Sequence, residues 1–173
     1  MALEEGTLLV FHPIVVHFAV ALTLFGFLLD LIGSVWRRAL AQQIGCACFL
    51  AGVVAVGGAV VSGWVEQELP RPTSVFDEQM KSVLFQHEYL GYGLFALFFI
   101  LAVMRLRIHD RLPLVFIMLG ALGVGGLAVQ GYLGGELVYR YGAGVRAVQV
   151  LSEQRVVHAQ KKASGFCSEA LER

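Results

Sequence analysis

Residues 52–69 read GVVAVGGAVVSGWVEQEL, and residues 120–137 read GALGVGGLAVQGYLGGEL. A shift of 68 lays Gly52 on Gly120, Gly57 on Gly125, Gly58 on Gly126 and Gly63 on Gly131. It also lays Trp64 on Tyr132 and Glu68 on Glu136. Both copies are long, apolar and rich in small residues, the composition of a helix that packs closely against another inside a bilayer. Upstream of each lies a histidine followed by a Leu-Phe-small triplet: His17 before Leu24, Phe25 and Gly26, and His87 before Leu94, Phe95 and Ala96. That second match has an offset of 70, two more than the glycines. An internal repeat of this length decides the architecture before any single residue does.

Of the 173 residues, 57% are apolar and 15% charged, and the formal net charge is zero. The mean hydropathy is +0.71. Such a chain is too apolar and too sparsely charged for an ordinary soluble domain, and its neutrality gives no reason to expect nucleic acid. Four runs approach the roughly 20 apolar residues that a spanning helix requires: residues 13–36, 44–65, 83–104 and 113–138. In hydrocarbon each must be helical, because a lone span can satisfy its backbone in no other way. The expected fold is an all-α integral membrane domain, a four-helix bundle of two parallel helix hairpins. The hairpins cover about 11–69 and 83–137 within a domain of 1–144. The remaining residues, 145–173, form a tail with an amphipathic helix. Pro13 and Pro113 suit first helical positions, with His12 as a cap for the first span.

Arg37 and Arg38 lie between the first two spans, and Arg105, Arg107 and Arg111 between the last two. The positive-inside rule places these short connections in the cytoplasm and both termini outside. In a bacterium that means an inner-membrane protein with periplasmic ends. The acidic N-terminus and the long first apolar run do not resemble a cleavable signal. The three cysteines, Cys46, Cys48 and Cys167, form neither a CxxC pair nor a haem-attachment motif.

Counted from the arginines at about 1.5 Å per residue, His17 and His87 reach similar depths near the outer face. Ser62, Trp64, Gln130 and Tyr132 lie at that level too. An ionisable group inside a membrane is a functional candidate. Two imidazoles at matching depth suggest axial ligands of a b-type haem, whose iron takes one nitrogen from each side. Gly57, Gly58, Gly125 and Gly126 would then leave space for the macrocycle. The plainer reading of those glycines is close helix approach, and of either histidine a structural hydrogen bond. His12 lies about 140° around the helix from His17 and is read as a cap or surface group. Glu68 and Glu136 are repeated carboxylates just outside the membrane, suited to ion pairing or to proton transfer.

The strings HPIVVHFAVAL at the first span, SGW after the second, the single His87 opening the third and GYLGGELVYRYGAGV at the close resemble a bacterial four-span membrane family, domain of unknown function 2231. The resemblance covers residues 10–145. Its histidines correspond to His12, His17 and His87, and its closing motif to Gly134, Gly135, Glu136, Tyr139 and Gly142. The family's genomic company of Rieske-type and cytochrome c partners implies respiratory electron transfer. The expectation is therefore a membrane electron-transfer subunit holding haem b between His17 and His87, passing electrons between quinol or a membrane enzyme and an external cytochrome or Rieske partner. The alternative is a cofactor-free structural or assembly subunit of a larger membrane complex or homo-oligomer. In either case lipid is the chain's first partner.

Overall fold

The computed structural model describes residues 2–67, 78–108, 112–143, 154, 157 and 158, with backbone alone for 2–10, 66 and 67. Four helices account for nearly all of them: α1 (Ala2–Trp36), α2 (Ala39–Gln67), α3 (Glu78–Arg107) and α4 (Leu114–Tyr139). All four are long and apolar enough to cross a membrane, and no strand occurs among the described residues. The helices outrun the apolar runs because nothing in the flanking turns breaks them. Ala39–Gln43 and Glu78–Ser82 are good helix formers, and a Glu78–Lys81 pair one turn apart supports the start of α3 at 2.6 Å. The tail helix expected after residue 145 falls outside the described residues, apart from 154, 157 and 158.

One expected boundary is corrected. α1 does not begin at Pro13 with His12 as its cap; it runs unbroken from Ala2 through Pro13. Proline removes one intrahelical donor, and spanning helices tolerate that because neighbours re-satisfy the freed carbonyl. His12 is therefore a mid-helix residue with a defined face.

In lipid, burying an apolar side chain gains little, so helices associate through close packing and polar contacts. The first hairpin shows the close packing at its extreme. A Cβ placed on Gly26 would enter the backbone of Phe49, one on Gly33 that of Gln42, and one on Gly45 that of Asp30. Gly52 faces Thr23 in the same way, with its Cβ position 2.5 Å from Thr23 Oγ1. These four glycines let the α1 and α2 backbones touch along an antiparallel seam. The second hairpin is looser. There glycines receive side chains instead: Gly123 takes Phe98, Gly126 takes Leu94, and Gly120 takes Phe27 from α1.

The two hairpins repeat in space at a different offset from the one their glycines suggest. Ala19, Thr23, Phe27 and Asp30 are among the buried positions of α1; Leu94, Phe98, Ala102 and Arg105 are their buried counterparts on α3, 75 residues on. Exposed positions match too, with Phe18, Phe25 and Leu28 answering Gly93, Ile100 and Val103. For α2 and α4 the offset is 71: Gly45, Phe49, Gly52 and Val56 answer Phe116, Gly120, Gly123 and Leu127, all buried. The contacts confirm it. Gly52 meets Thr23 and Gly123 meets Phe98, the same pair in each half. The smaller second offset arises because fewer residues separate Arg105 from Phe116 than Asp30 from Gly45.

Between the ends of the bundle lies a phenylalanine layer. Phe49 packs edge-on against Phe98 and Phe116, with ring centroids 6.2 Å and 6.0 Å apart, and Phe27 lies 6.3 Å from Phe116. On one side of it sit Asp30 and Arg105, both buried. Arg105 is bidentate on Asp30, with Nε on Oδ2 and Nη2 on Oδ1 at 2.9 Å. Its Nη1 donates to the Ile108 carbonyl at 2.6 Å. Ser34 Oγ accepts the Leu112 N–H at 3.1 Å, tying the end of α1 to the approach to α4. Asp30 and Arg105 occupy equivalent places in the two halves, so the repeat itself brings the opposite charges together on its axis.

Candidate functional site

The far side of the phenylalanine layer carries the histidines. Of the two histidines expected to face each other, His87 is half-buried and His17 is exposed. A five-residue difference between offsets of 70 and 75 turns a position by about 140°, which carries His17 to the outside of α1. It is exposed there, its Nδ1 2.6 Å from the Pro13 carbonyl on its own helix. Its counterpart on α3 is Tyr92, also exposed. The residue equivalent to His87 is His12. Both are half-buried, His12 against Ser62 and Gly63 of α2 and His87 against Gln130 and Gly134 of α4.

Each ring rests over a glycine of the following helix. The Cε1 of His12 is 3.1 Å from where a Gly63 Cβ would stand, and that of His87 is 3.2 Å from the same position on Gly134. Gly63 and Gly134 are themselves equivalent, so the two ring-on-glycine contacts are copies. A Cβ at either glycine would oblige the ring to shift slightly, and a larger side chain would oblige it to shift further.

The hydrogen-bond network assigns the tautomers. Ser62 Oγ gives its single proton to the Ala59 carbonyl at 3.0 Å. It can then only accept from His12 Nδ1, which is 2.9 Å away. The His12 proton is therefore on Nδ1, and Nε2 carries the lone pair. Gln130 Nε2 donates to the His87 carbonyl at 3.0 Å and lies 3.3 Å from His87 Nε2. The amide nitrogen has no lone pair to offer, so His87 Nε2 must accept, and this proton too is on Nδ1. Both imidazoles thus present their lone pair on Nε2. His87 Nδ1 and Gln130 Oε1 are buried without a hydrogen-bond partner, a pair of unmet polar groups in a part of the bundle that is otherwise satisfied.

The remaining expected site residues separate into two groups. Gln130 joins the site. Gly57, Gly58 and Gly126 are packing notches: Gly57 meets the Phe95 ring at 3.0 Å, Gly58 meets Val15 at 3.5 Å, and Gly126 meets the Leu94 side chain. Helix and side-chain contact accounts for them. Gly125 faces outward with nothing within 4 Å of its Cβ position. Trp64 and Tyr132 are exposed, as interfacial aromatics are. Glu136 pairs with Arg140 at 2.8 Å, and this partner raises the Arg140 pKa above its ordinary value. Glu68 and His109 lie outside the described residues, and His158 is exposed. Gly91 is a site residue that the sequence reading did not name, while it placed Ser62 only at the histidine depth, Gly63 only among the repeated glycines and Gly134 only in the closing motif. The signal for them was a charged or imidazole-bearing partner at the 75-residue offset, which His12–His87 and Asp30–Arg105 share.

No group of three or more histidine, cysteine or acidic side chains that could cage a metal ion occurs among the described residues. The donors this end of the bundle offers are the two half-buried imidazoles of His12 and His87.

The model of a family described as "Predicted membrane protein (DUF2231)" matches residues 9–147. No curated protein and no solved structure matches the chain. The matched stretch contains both inward histidines, both glycines beneath them, and Ser62 and Gln130.

Proposed function

The chain belongs to the membrane protein family DUF2231, and from that premise we propose that it is an electron-transfer subunit of the membrane, holding a b-type haem at the histidine end of the bundle. His12 and His87 are the residues that would hold it; His17, exposed on the outer face of α1, would not. The observation that carries this reading is the pair of equivalent inward imidazoles, each with its lone pair on Nε2, one of them leaving a buried Nδ1 unpartnered.

A bound haem supplies one-electron chemistry between its ferric and ferrous states. The protein's part is to hold and insulate. Ser62 fixes the His12 ring by accepting its Nδ1–H, and a ligand whose second nitrogen is so engaged is a more basic donor. In the second hairpin Gln130 holds His87. Gly63 and Gly134 keep the rings clear of side chains. The phenylalanine layer separates the site from the Asp30–Arg105 pair, and Thr23 is the one buried hydroxyl between the two ends among the described residues. No polar thread joins the two surfaces there, which favours a relay that exchanges electrons on one side over a solute or proton channel.

The side is the periplasmic one. Arg37, Arg38 and Arg107 cluster at the opposite end, and the positive-inside rule puts that end in the bacterial cytoplasm. Electrons then pass between quinol, or a membrane enzyme, and an external cytochrome or Rieske protein.

The test is a reduced-minus-oxidised absorption spectrum of the full chain, made with haem supplied and purified in mild detergent. A b-type signal is expected, lost in His12→Ala and in His87→Ala and retained in His17→Ala. A folded, monodisperse and colourless wild type overturns the haem reading and leaves the cofactor-free assembly subunit in its place. Loss in His17→Ala with retention in His12→Ala overturns the ligand assignment alone.

A further inference from the structure

We infer that Gln130 is a positioning residue that sets the tautomer of His87, keeping the lone pair on Nε2 whether or not a ligand is bound. The inference deepens the haem reading and rests on it for its purpose, but its geometry stands by itself. Gln130 projects from α4 toward α3, and its amide nitrogen lies between two acceptors of one residue, the His87 carbonyl at 3.0 Å and the His87 Nε2 at 3.3 Å.

The orientation of the amide is fixed. Turned over, it would press Oε1 against the His87 carbonyl, acceptor against acceptor. Space for the amide comes from Gly91, whose Cβ would stand 3.2 Å from the Gln130 nitrogen. Any larger residue at 91 would displace it.

The arrangement is maintained against a local penalty. It leaves His87 Nδ1–H and Gln130 Oε1 both buried and unpartnered. A side chain selected only to satisfy hydrogen bonds would not leave two such groups at one contact. What the arrangement secures is a lone pair on Nε2 in low dielectric. A free imidazole in water prefers the other tautomer, with its proton on Nε2, so a donor must be held against that nitrogen to reverse the preference.

The division of the two contacts suits a placeholder. The shorter bond, to the backbone, does not involve the ring and holds the amide in place. The longer one, to Nε2, is the one an electron-pair acceptor of greater strength displaces. Gln130 can yield the lone pair and stay where it is. Ser62 acts differently on His12, through Nδ1, so its bond persists unchanged when Nε2 is taken.

The test uses the full chain in detergent micelles, free of haem and labelled with ¹⁵N-histidine. In the wild type, the His87 resonance, assigned by its loss in His87→Ala, is expected to show a protonated Nδ1 and an unprotonated Nε2. In Gln130→Leu the proton is expected to move predominantly to Nε2. Gln130→Met keeps the length and most of the volume without a donor, preserves packing if leucine does not, and is expected to give the same shift. A methionine variant with the wild-type tautomer shows that residue 130 merely fills space and overturns the inference. Because these spectra involve no haem, a colourless wild type defeats the electron-transfer reading while leaving the tautomer result to stand or fall separately. If the wild type is coloured, Gln130→Met is further expected to shift its midpoint potential; an unchanged potential denies Gln130 any part in the haem site.

Discussion

Asp30→Leu is expected to destabilise the bundle by about 3–5 kcal/mol, the usual consequence of removing one member of a buried ion pair. The loss comes less from the missing attraction than from what remains. Arg105 cannot shed its charge, and in Asp30→Leu its guanidinium would face the bundle interior with the Ile108 carbonyl as its remaining hydrogen-bond partner among the described residues. Arg105→Leu strands a carboxylate instead. A buried carboxyl group, unlike a guanidinium, has a neutral form to fall back on, so the arginine deletion should be the milder of the two. Asp30→Asn keeps a hydrogen-bond acceptor while removing charge, and should fall between Asp30→Leu and wild type. Unfolding in mixed micelles of rising denaturing-detergent fraction measures all three. The equivalence of the two positions adds a sharper expectation. Since Asp30 and Arg105 are related by the internal repeat and face a common axis, the exchange Asp30→Arg with Arg105→Asp should recover part of the stability that either single change loses. Single variants within about 0.5 kcal/mol of wild type, the range of ordinary surface substitutions, would show that the pair lies open to water.

The sequence made the membrane class, the four helices and the doubling legible, because each depends on composition and long apolar runs. The histidine pairing was not legible from the same signals, and the reason is geometric. Matching glycine to glycine gives an offset of 68, three residues short of the structural 71. Three residues on a helix fall within about 60° of the starting direction, so the glycine face is roughly preserved and the error stays hidden. Matching the Leu-Phe-small triplets gives 70, five short of the structural 75, and five residues turn the side chain away by about 140°. That slip selected His17 in place of His12. The correct offset was present in the chain: Asp30 and Arg105 are 75 apart, as are His12 and His87, and polar residues inside a span are constrained more tightly than glycines that recur at many positions. Pro13 hid His12 as well. A proline at the edge of an apolar run reads as a helix start, whereas here the helix passes through it. The acidic connection and the tail, 68–77 and 144–173, carry none of these signals apart from Glu68.

Gly26→Val is expected to cause the other large loss, about 3 kcal/mol or more, at the upper end of what overpacking does in a well-filled core. The size of the effect follows from what the new side chain meets. At Gly57 a Cβ would touch the far edge of the Phe95 ring, which can swing aside. At Gly26 it would meet the Phe49 backbone, and at Gly45 the backbone of Asp30. A backbone in an α-helix cannot yield locally, so the whole of α2 must move outward. That movement would also loosen Gly52 from Thr23 and draw Asp30 away from Arg105, since Asp30 is itself one of the residues at the seam. Gly26→Val and Asp30→Leu should therefore be non-additive, the double variant losing less than the two single losses combined, because the first already weakens what the second removes. Gly125→Ala supplies the contrast on the same protein. Its Cβ meets open space on the outer face of α4, and replacing a mid-helix glycine by alanine there should be neutral or stabilising by up to about 1 kcal/mol. Equal losses at Gly26 and Gly125 would mean that glycines weaken or strengthen this bundle only through helix propensity, and that the α1–α2 backbones do not touch. The seam also controls the site at the other end. Gly63 beneath His12 lies in the same antiparallel register as Gly52, Gly45 and Gly26, so a wedge driven in at Gly26 should move the His12 ring off its glycine. The resulting change in the His12 resonance of the folded fraction would show that the packing of one helix pair sets the geometry at the histidines.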